Sequence, residues 1–446
     1  MERLGGEHRG QTASPRQVAA ASLLGTTIEW YDFFIYVTAA SFVFNELFFP
    51  SYAPLVGTLL ALSTNAVGFV ARPIGGAVFG HFGDRVGRKS MLIITLLLMG
   101  LATFAIGLLP TENQIGIAAP ILLVVLRFLQ GLGLGGEWGG AVLMAVEHSP
   151  EGRRGFYGSF PQMGIPAGVI LSSLVFLVVT SLPESQFLAW GWRVPFLLSI
   201  LLVAVGLFIR LRILESPAFQ RLREAGGAVA VPLVEVFRNN LKQLLVVAGA
   251  YLAQNVTFYI LISFTLTYGE EQLGLPRNTM ISIVVISSIA SFFLMPLFAA
   301  LSDRVGRKLM LLVGVAGMGT LCFVMFPLLD TRNYALMLAG HLLLTVFQSM
   351  NLGPIAAFFV EQFDTRVRYT GATMGYQLGT VVAGGLAPII ATAILQQTGS
   401  SIFIAAYMAV VALISFTAIY FGRETYMVSD IDGETTGRGG LAAERG

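Results

Sequence analysis

The chain has 446 residues, 55% hydrophobic and only 12% charged, with a formal net charge of +2. Soluble domains carry about 25% charged residues, so that class is excluded, and the near-neutral balance gives no reason to expect a nucleic-acid partner. A single cysteine, Cys322, excludes an internal disulfide and a multi-cysteine metal cluster, so no metal site is expected.

Residues 1–17 are polar, with Arg3, Arg9 and Arg16, and read as an N-terminal arm. The apolar run that follows is too long for a cleavable leader. Twelve such runs recur, near 18–44, 53–80, 90–110, 117–147, 156–181, 191–213, 241–268, 279–300, 309–329, 333–362, 368–397 and 400–421. Each has the roughly 20 residues that a membrane helix needs. Helices are the economical reading, because backbone polar groups in hydrocarbon must be satisfied within the segment. The expected fold is therefore an all-α membrane protein. Its parts are the arm 1–17, a six-helix bundle 18–213, a central loop 214–240, a second bundle 241–421 and a tail 422–446.

Orientation follows from the basic loops. One side carries Arg85, Arg88, Lys89, Arg153, Arg154, Arg304, Arg307, Lys308, Arg366 and Arg368. The other carries Glu46, Glu112, Glu184, Glu270, Glu271 and Asp330, with only Arg277 and Arg332. The first side is expected to be cytoplasmic, with both termini on it.

The chain repeats itself. Asp84-Arg85-Val86-Gly87-Arg88-Lys89 after the second span returns as Asp303-Arg304-Val305-Gly306-Arg307-Lys308 after the eighth. Glu147 and Arg154 after the fourth span are echoed by Glu361 and Arg368 after the tenth. Two pseudo-symmetric six-helix halves around a central site are a common transporter architecture.

The repeated Asp-Arg-x-Gly-Arg-Lys loop resembles the signature of the major facilitator superfamily. Ala299 stands in the second copy where the first has Gly80, and Phe82 departs from the usual Leu. More specific strings resemble its metabolite:proton symporter family: Gly25-Thr26-Thr27-Ile28-Glu29-Trp30-Tyr31-Asp32-Phe33-Phe34, Arg72-Pro73-Ile74-Gly75-Gly76, Arg127-Phe128-Leu129-Gln130-Gly131, Gly136-Glu137-Trp138-Gly139, and Trp192-Arg193-Val194-Pro195-Phe196. Within it, Phe44-Asn45-Glu46-Leu47-Phe48-Phe49-Pro50 is similar to shikimate transporters.

The resemblance implies a transporter of the bacterial inner membrane, not an enzyme. It would have no cofactor, would be driven by the proton gradient, and would work as a monomer in the lipid bilayer. The substrate would be a small polar carboxylate such as shikimate. Relatives that carry citrate, 2-oxoglutarate, aromatic acids or betaines keep those alternatives open, as does a drug:proton antiporter.

Charges at membrane depth cost at least ~2.5–3.5 kcal/mol each, so each needs a partner or a wet cavity. Glu29 and Asp32 are three apart and share a helix face. Arg127, in the fourth span, is expected to face both, with Asp32 the first choice as proton carrier and Glu29 the second. Arg127 could instead bind a substrate carboxylate, since its fork matches that group. Arg72 and Glu137 are expected to pair, with Glu137 a further candidate on the proton path. Substrate contacts are sought in Tyr31, in Tyr251, Gln254, Asn255 and Tyr259, in Gln348 and Asn351, and in Gln162, Tyr376 and Gln377. His341 reads as structural. Gly131, Gly135 and Gly139 fall four apart and suit close helix packing. Asp84 and Asp303 can cap neighbouring helices, and the loop arginines Arg85, Arg88, Arg304 and Arg307 can pair with Glu147 and Glu361. With Arg154 and Arg368 these groups form an expected gate.

Overall fold

The computed structural model describes residues 14–51, 54–212, 232–384 and 386–426. Twelve long helices account for most of them: α1 (Pro15–Phe42), α2 (Pro54–Gly83), α3 (Arg88–Leu108), α4 (Ala118–Glu147), α5 (Arg154–Val179), α6 (Arg193–Arg212), α7 (Leu241–Tyr259, continued through π turns to Gln272), α8 (Arg277–Val305), α9 (Arg307–Asp330), α10 (Tyr334–Glu361), α11 (Arg368–Ala383 and Ala387–Thr398) and α12 (Ile402–Phe421). No strand occurs among the described residues. Ten of the helices, α3 to α12, are long and apolar enough to cross a bilayer on their own composition. α1 carries the buried charges Glu29 and Asp32 and packs against α5 and α4.

The helix ends follow from local chemistry. Ser14 and Gln17 form a reciprocal capping box, which starts α1 at Pro15 and draws the last residues of the predicted arm into the helix. Asn333 accepts the amides of Ala335 and Leu336 and so starts α10. Between α2 and α3, and between α8 and α9, the chain turns at Gly87 (φ 133°) and Gly306 (φ 107°). A side chain rarely adopts such angles, which explains the glycine in both copies of the repeat. α8 runs on to Val305, beyond its predicted end at 300, because Asp303 and Arg304 stay helical up to that glycine.

Two features differ from uniform spans. α7 carries π turns at Ile260–Phe264 and Tyr268–Gln272, and α11 comes in two segments. In the first π turn the carbonyl of Leu261 accepts both the Thr265 hydroxyl (2.7 Å) and His341 Nε2 (3.1 Å).

α1–α6 and α7–α12 form two bundles, which meet where α2 packs on α11 and α5 packs on α8 and α10. The glycines of α4 make the close approaches. A Cβ at Gly131 would collide with the backbone of Gly68, one at Gly135 with that of Arg72, and one at Gly139 with Thr373 across the boundary between halves. Large apolar side chains such as Leu177, Val178, Leu201, Phe208, Phe293 and Leu413 point outward and are exposed. Such a belt is far more apolar surface than a soluble protein presents, and it fits lipid.

Candidate functional site

Both repeat loops lie at one end of the bundles, here called the basic end. Asp84 accepts the backbone amides of Tyr369 (3.2 Å) and Thr370 (2.9 Å) and the Thr370 hydroxyl (2.8 Å). It thereby caps α11 of the other half, where the helix dipole favours a carboxylate. Asp303 does the same for α5, accepting the amides of Gly155 (2.8 Å) and Phe156 (2.9 Å). Glu147 pairs with Arg88 of its own half and with Arg368 of the other (3.1 Å). Glu361 pairs with Arg307 (3.4 Å), and Arg154 of the first half lies within its electrostatic reach.

These contacts tie the halves together at the basic end. Burial pushes the Asp84 carboxyl up to about 6, against the Arg88 charge and the Thr370 and Tyr369 donors that favour ionisation.

Arg85 and Arg304 are corrections to the expected gate. Both are exposed, and Arg85 approaches His81. The glycine turn separates the two arginines of each loop, so the one before it faces solvent while the one after it, which opens the next helix, turns in. The sequence reading missed Glu424, which accepts the amides of Arg307 and Lys308 (both 3.0 Å) and so ties the tail to the second loop.

Among the described residues, the interior of the first half holds the buried charges Glu29, Asp32, Arg72, Arg127, Glu137 and Arg210. Their partners differ from expectation in three ways. Arg127 does not clasp the two carboxylates. It donates to Gln130 Oε1 (2.5 Å), whose amide donates to Thr103 Oγ1 (2.8 Å), whose hydroxyl donates to Asp32 Oδ2 (3.0 Å). Base and acid are thus joined by a two-residue chain of hydrogen bonds. Glu137 pairs with Arg210 of α6, not with Arg72, and also accepts the Thr95 hydroxyl (2.8 Å). The absence of a side chain at Gly25 leaves room for the Arg210 guanidinium beside α1. Arg72 instead lies over the rings of Phe33 (5.0 Å) and Phe69 (4.8 Å). Arg210 escaped the sequence reading because Arg210 and Arg212 at the end of an apolar run look like ordinary flanking cations.

The two halves touch through rings and amides on the basic side of this cluster. Trp138 stacks on Tyr376, which Tyr251 of the same half supports from α7 (4.6 Å), and Tyr369 donates to the Gly136 carbonyl (2.8 Å). Nearer the charges, Trp30 meets Phe258 (5.5 Å) and Phe69 meets Tyr259 (6.1 Å).

Several substrate candidates are committed elsewhere. Tyr31 turns away, its hydroxyl donating to the Pro195 carbonyl of α6 (2.8 Å). Asn351 donates to the Leu311 carbonyl of α9 (3.3 Å), and Gln377 to the Gly135 carbonyl of α4 (2.9 Å). These are helix-to-helix ties. Gln162 accepts the Trp138 indole (2.9 Å), which leaves its amide nitrogen without a partner.

A pattern emerges from the buried polar atoms that lack a hydrogen-bond partner among the described residues. They include Glu29 Oε2, Asp32 Oδ1, Gln162 Nε2, Gln254 Oε1, Asn255 Nδ2, Tyr259 Oη and Gln348 Nε2. Leaving such a group unmade costs about 1–3 kcal/mol. These seven belong to α1, α5, α7 and α10; others lie elsewhere, such as Thr373 Oγ1 and Gln377 Oε1 on α11 and Trp192 Nε1 before α6. Gln348 also lines a cavity with Phe258, Ser287, Ser291, His341 and Thr345. His341 is fixed there between the Ser287 hydroxyl (2.8 Å) and the Leu261 carbonyl. Since a carbonyl only accepts, His341 Nε2 carries the proton and Nδ1 accepts. No cluster of three metal-ligating groups occurs among the described residues.

Comparison with known proteins agrees with this architecture. Residues 22–384 match the family described as Major Facilitator Superfamily. The chain is 42% identical over 418 residues to the inner membrane metabolite transport protein YhjE of Escherichia coli (strain K12), covering 92% of this chain and 95% of that one. It is 40% identical over 406 residues to the shikimate transporter of the same organism, covering 90% and 92%. It is 35% identical over 420 residues to the glycine betaine/proline/ectoine/pipecolic acid transporter OusA of Dickeya dadantii (strain 3937), covering 92% and 83%. In fold it is similar to the major facilitator superfamily proton:xylose symporter XylE bound to 6-bromo-6-deoxy-D-glucose, with a TM-score of 0.73, 16% identity, and 92% and 96% of the two chains covered. The chain belongs to the Major Facilitator Superfamily and is a membrane transporter, not an enzyme.

Proposed function

We propose that this member of the superfamily is a proton-coupled importer of a small polar carboxylate of the shikimate kind. It sits in the bacterial inner membrane with its basic end and both termini in the cytoplasm. The observation that carries the reading is the chain from Arg127 through Gln130 and Thr103 to Asp32. A guanidinium and a carboxylate joined in this way share one electrostatic balance. A proton on Asp32 removes the negative charge that faces Arg127, which is then free to take a substrate carboxylate. Release of both to the cytoplasm resets the balance.

The orientation rests on the basic loops and the positive-inside tendency. The substrate class rests on two buried guanidiniums, Arg72 and Arg127, near the middle of the chain's first half, and on the likeness to a shikimate transporter. The likeness to a betaine transporter favours a zwitterion as the second reading, with Glu29 Oε2 and Asp32 Oδ1 as the anionic atoms that its cation would meet.

The test is uptake of labelled shikimate, quinate, protocatechuate, citrate, 2-oxoglutarate and betaine into proteoliposomes with and without an inward proton gradient. Gradient-dependent accumulation of a carboxylate is expected. Betaine alone, or no dependence on the gradient for any transported member, would overturn the reading.

A further inference from the structure

Arg72 was expected to neutralise Glu137, and Arg210 does that instead. Arg72 is left fully inside the protein, with no ion-pair partner among the described residues. Burying a guanidinium without a direct ion pair is costly, and ring faces offset only part of that cost, about 0.5–2 kcal/mol. A buried charge kept in this state calls for a partner that comes and goes.

The surroundings say what kind. Arg72 and Arg127 both lie against one ring. Their guanidinium carbons lie 5.0 and 5.4 Å from the Phe33 centroid, and Arg127 also sits 3.9 Å over Tyr36. Gly68, one helical turn before Arg72 on α2, leaves the space that Arg127 fills. One helix therefore carries Arg72 and accommodates Arg127. Each fork can match an oxygen acceptor on its own, so the pair can hold the two ends of one small molecule. The Tyr259 hydroxyl of the second half lies within reach of Arg72, is not in hydrogen-bonding geometry with it, and has no partner among the described residues.

We propose that Arg72 and Tyr259 form a second binding arm, which reads an oxygen acceptor at the far end of the substrate from the carboxylate on Arg127. The inference rests on the substrate reading above. It narrows the class to small acids with a second oxygen function, either a hydroxyl or a second carboxylate, and disfavours simple hydrocarbon acids. It also ties charge to coupling. With Arg210 and Glu137 paired, the remaining interior charges among the described residues are Arg72 and Arg127 against Glu29 and Asp32. The count is balanced, so each negative charge brought by substrate calls for one proton on Glu29 or Asp32. A monocarboxylate takes one proton and a dicarboxylate takes two.

The test is binding to the purified full-length protein in detergent, using two matched probe pairs. Shikimate is set against 1-cyclohexene-1-carboxylate, which lacks its three hydroxyls, and 2-oxoglutarate against pentanoate. Arg72→Gln and Tyr259→Phe should weaken the oxygen-rich member of the pair that binds by about tenfold or more, and its plain partner by less than about twofold. Arg127→Gln should weaken both. A merely structural role for Arg72 would move both members alike, so equal losses, or no loss, overturn the second arm and leave the substrate reading standing. Failure of the unmodified protein to bind either oxygen-rich acid overturns the substrate reading and the second arm with it.

Discussion

Trp138 of the first half and Tyr376 of the second lie face to face, their ring centroids 4.0 Å apart and their planes 5° from parallel. The stack joins the halves beside the Glu137–Arg210 pair and nearer the basic end than Arg127, and that end cannot open without parting the rings. Such a pair is worth about 0.5–1.5 kcal/mol beyond its buried area, or roughly a 2- to 13-fold shift in population.

Tyr376→Ala should therefore favour the state open at the basic end, and Tyr376→Phe should not. Cys322 is buried, so a reporter cysteine at Thr373, one turn from Tyr376, can be followed by maleimide labelling. Labelling should quicken several-fold with Tyr376→Ala and stay near the parent rate with Tyr376→Phe. Equal rates in all three would mean that the stack does not hold this end shut.

The basic-end latch should respond to pH through Asp84. Its carboxyl is raised from the ordinary 3.8 to about 6 while buried against α11. The latched state then holds a proton that the open, solvated carboxyl has lost. Closure gains from this as pH falls through about 6, the gain is complete below the ordinary value, and it disappears as pH rises through 6. Hydrogen exchange at the amides of Tyr369 and Thr370, corrected for intrinsic rates, should slow between pH 7.5 and 5, and Asp84→Asn should abolish the dependence. An unchanged pH dependence in Asp84→Asn would assign it to another group.

The Arg210–Glu137 pair is fully buried. Breaking a buried pair from one side strands the other charge and costs about 3–5 kcal/mol, whereas replacing both partners is nearly neutral. Arg210→Met and Glu137→Gln should each lower the melting temperature in detergent, and the double variant should recover most of the loss. Additive losses would show that the two residues act independently.

Much of this was legible in the chain. The spans stand out because a bilayer demands about 20 apolar residues at a stretch. The repeated loops were legible because a glycine in a left-handed conformation and a capping aspartate are local requirements, met again at Gly306 and Asp303. The partners of the interior charges were not. Helical spacing assigns Arg72 and Glu137 to faces, but not the reach of a long side chain from a third helix, and Arg210 takes the carboxylate. Tyr31 and Asn351 failed for the same reason, since period alone does not say which neighbour a polar face meets. The π turns of α7 have no sequence signature, and in the first of them His341 and Thr265 satisfy the Leu261 carbonyl.

The central claim is that a proton on Asp32 drives uptake. The most direct measurement compares Asp32→Asn with the unmodified protein in proteoliposomes, for the carboxylate the latter accumulates. An amide keeps the Thr103 contact and cannot cycle a proton. Uphill accumulation under an inward proton gradient should be abolished, while exchange of internal for external substrate without a gradient persists. Undiminished accumulation in Asp32→Asn would contradict the account.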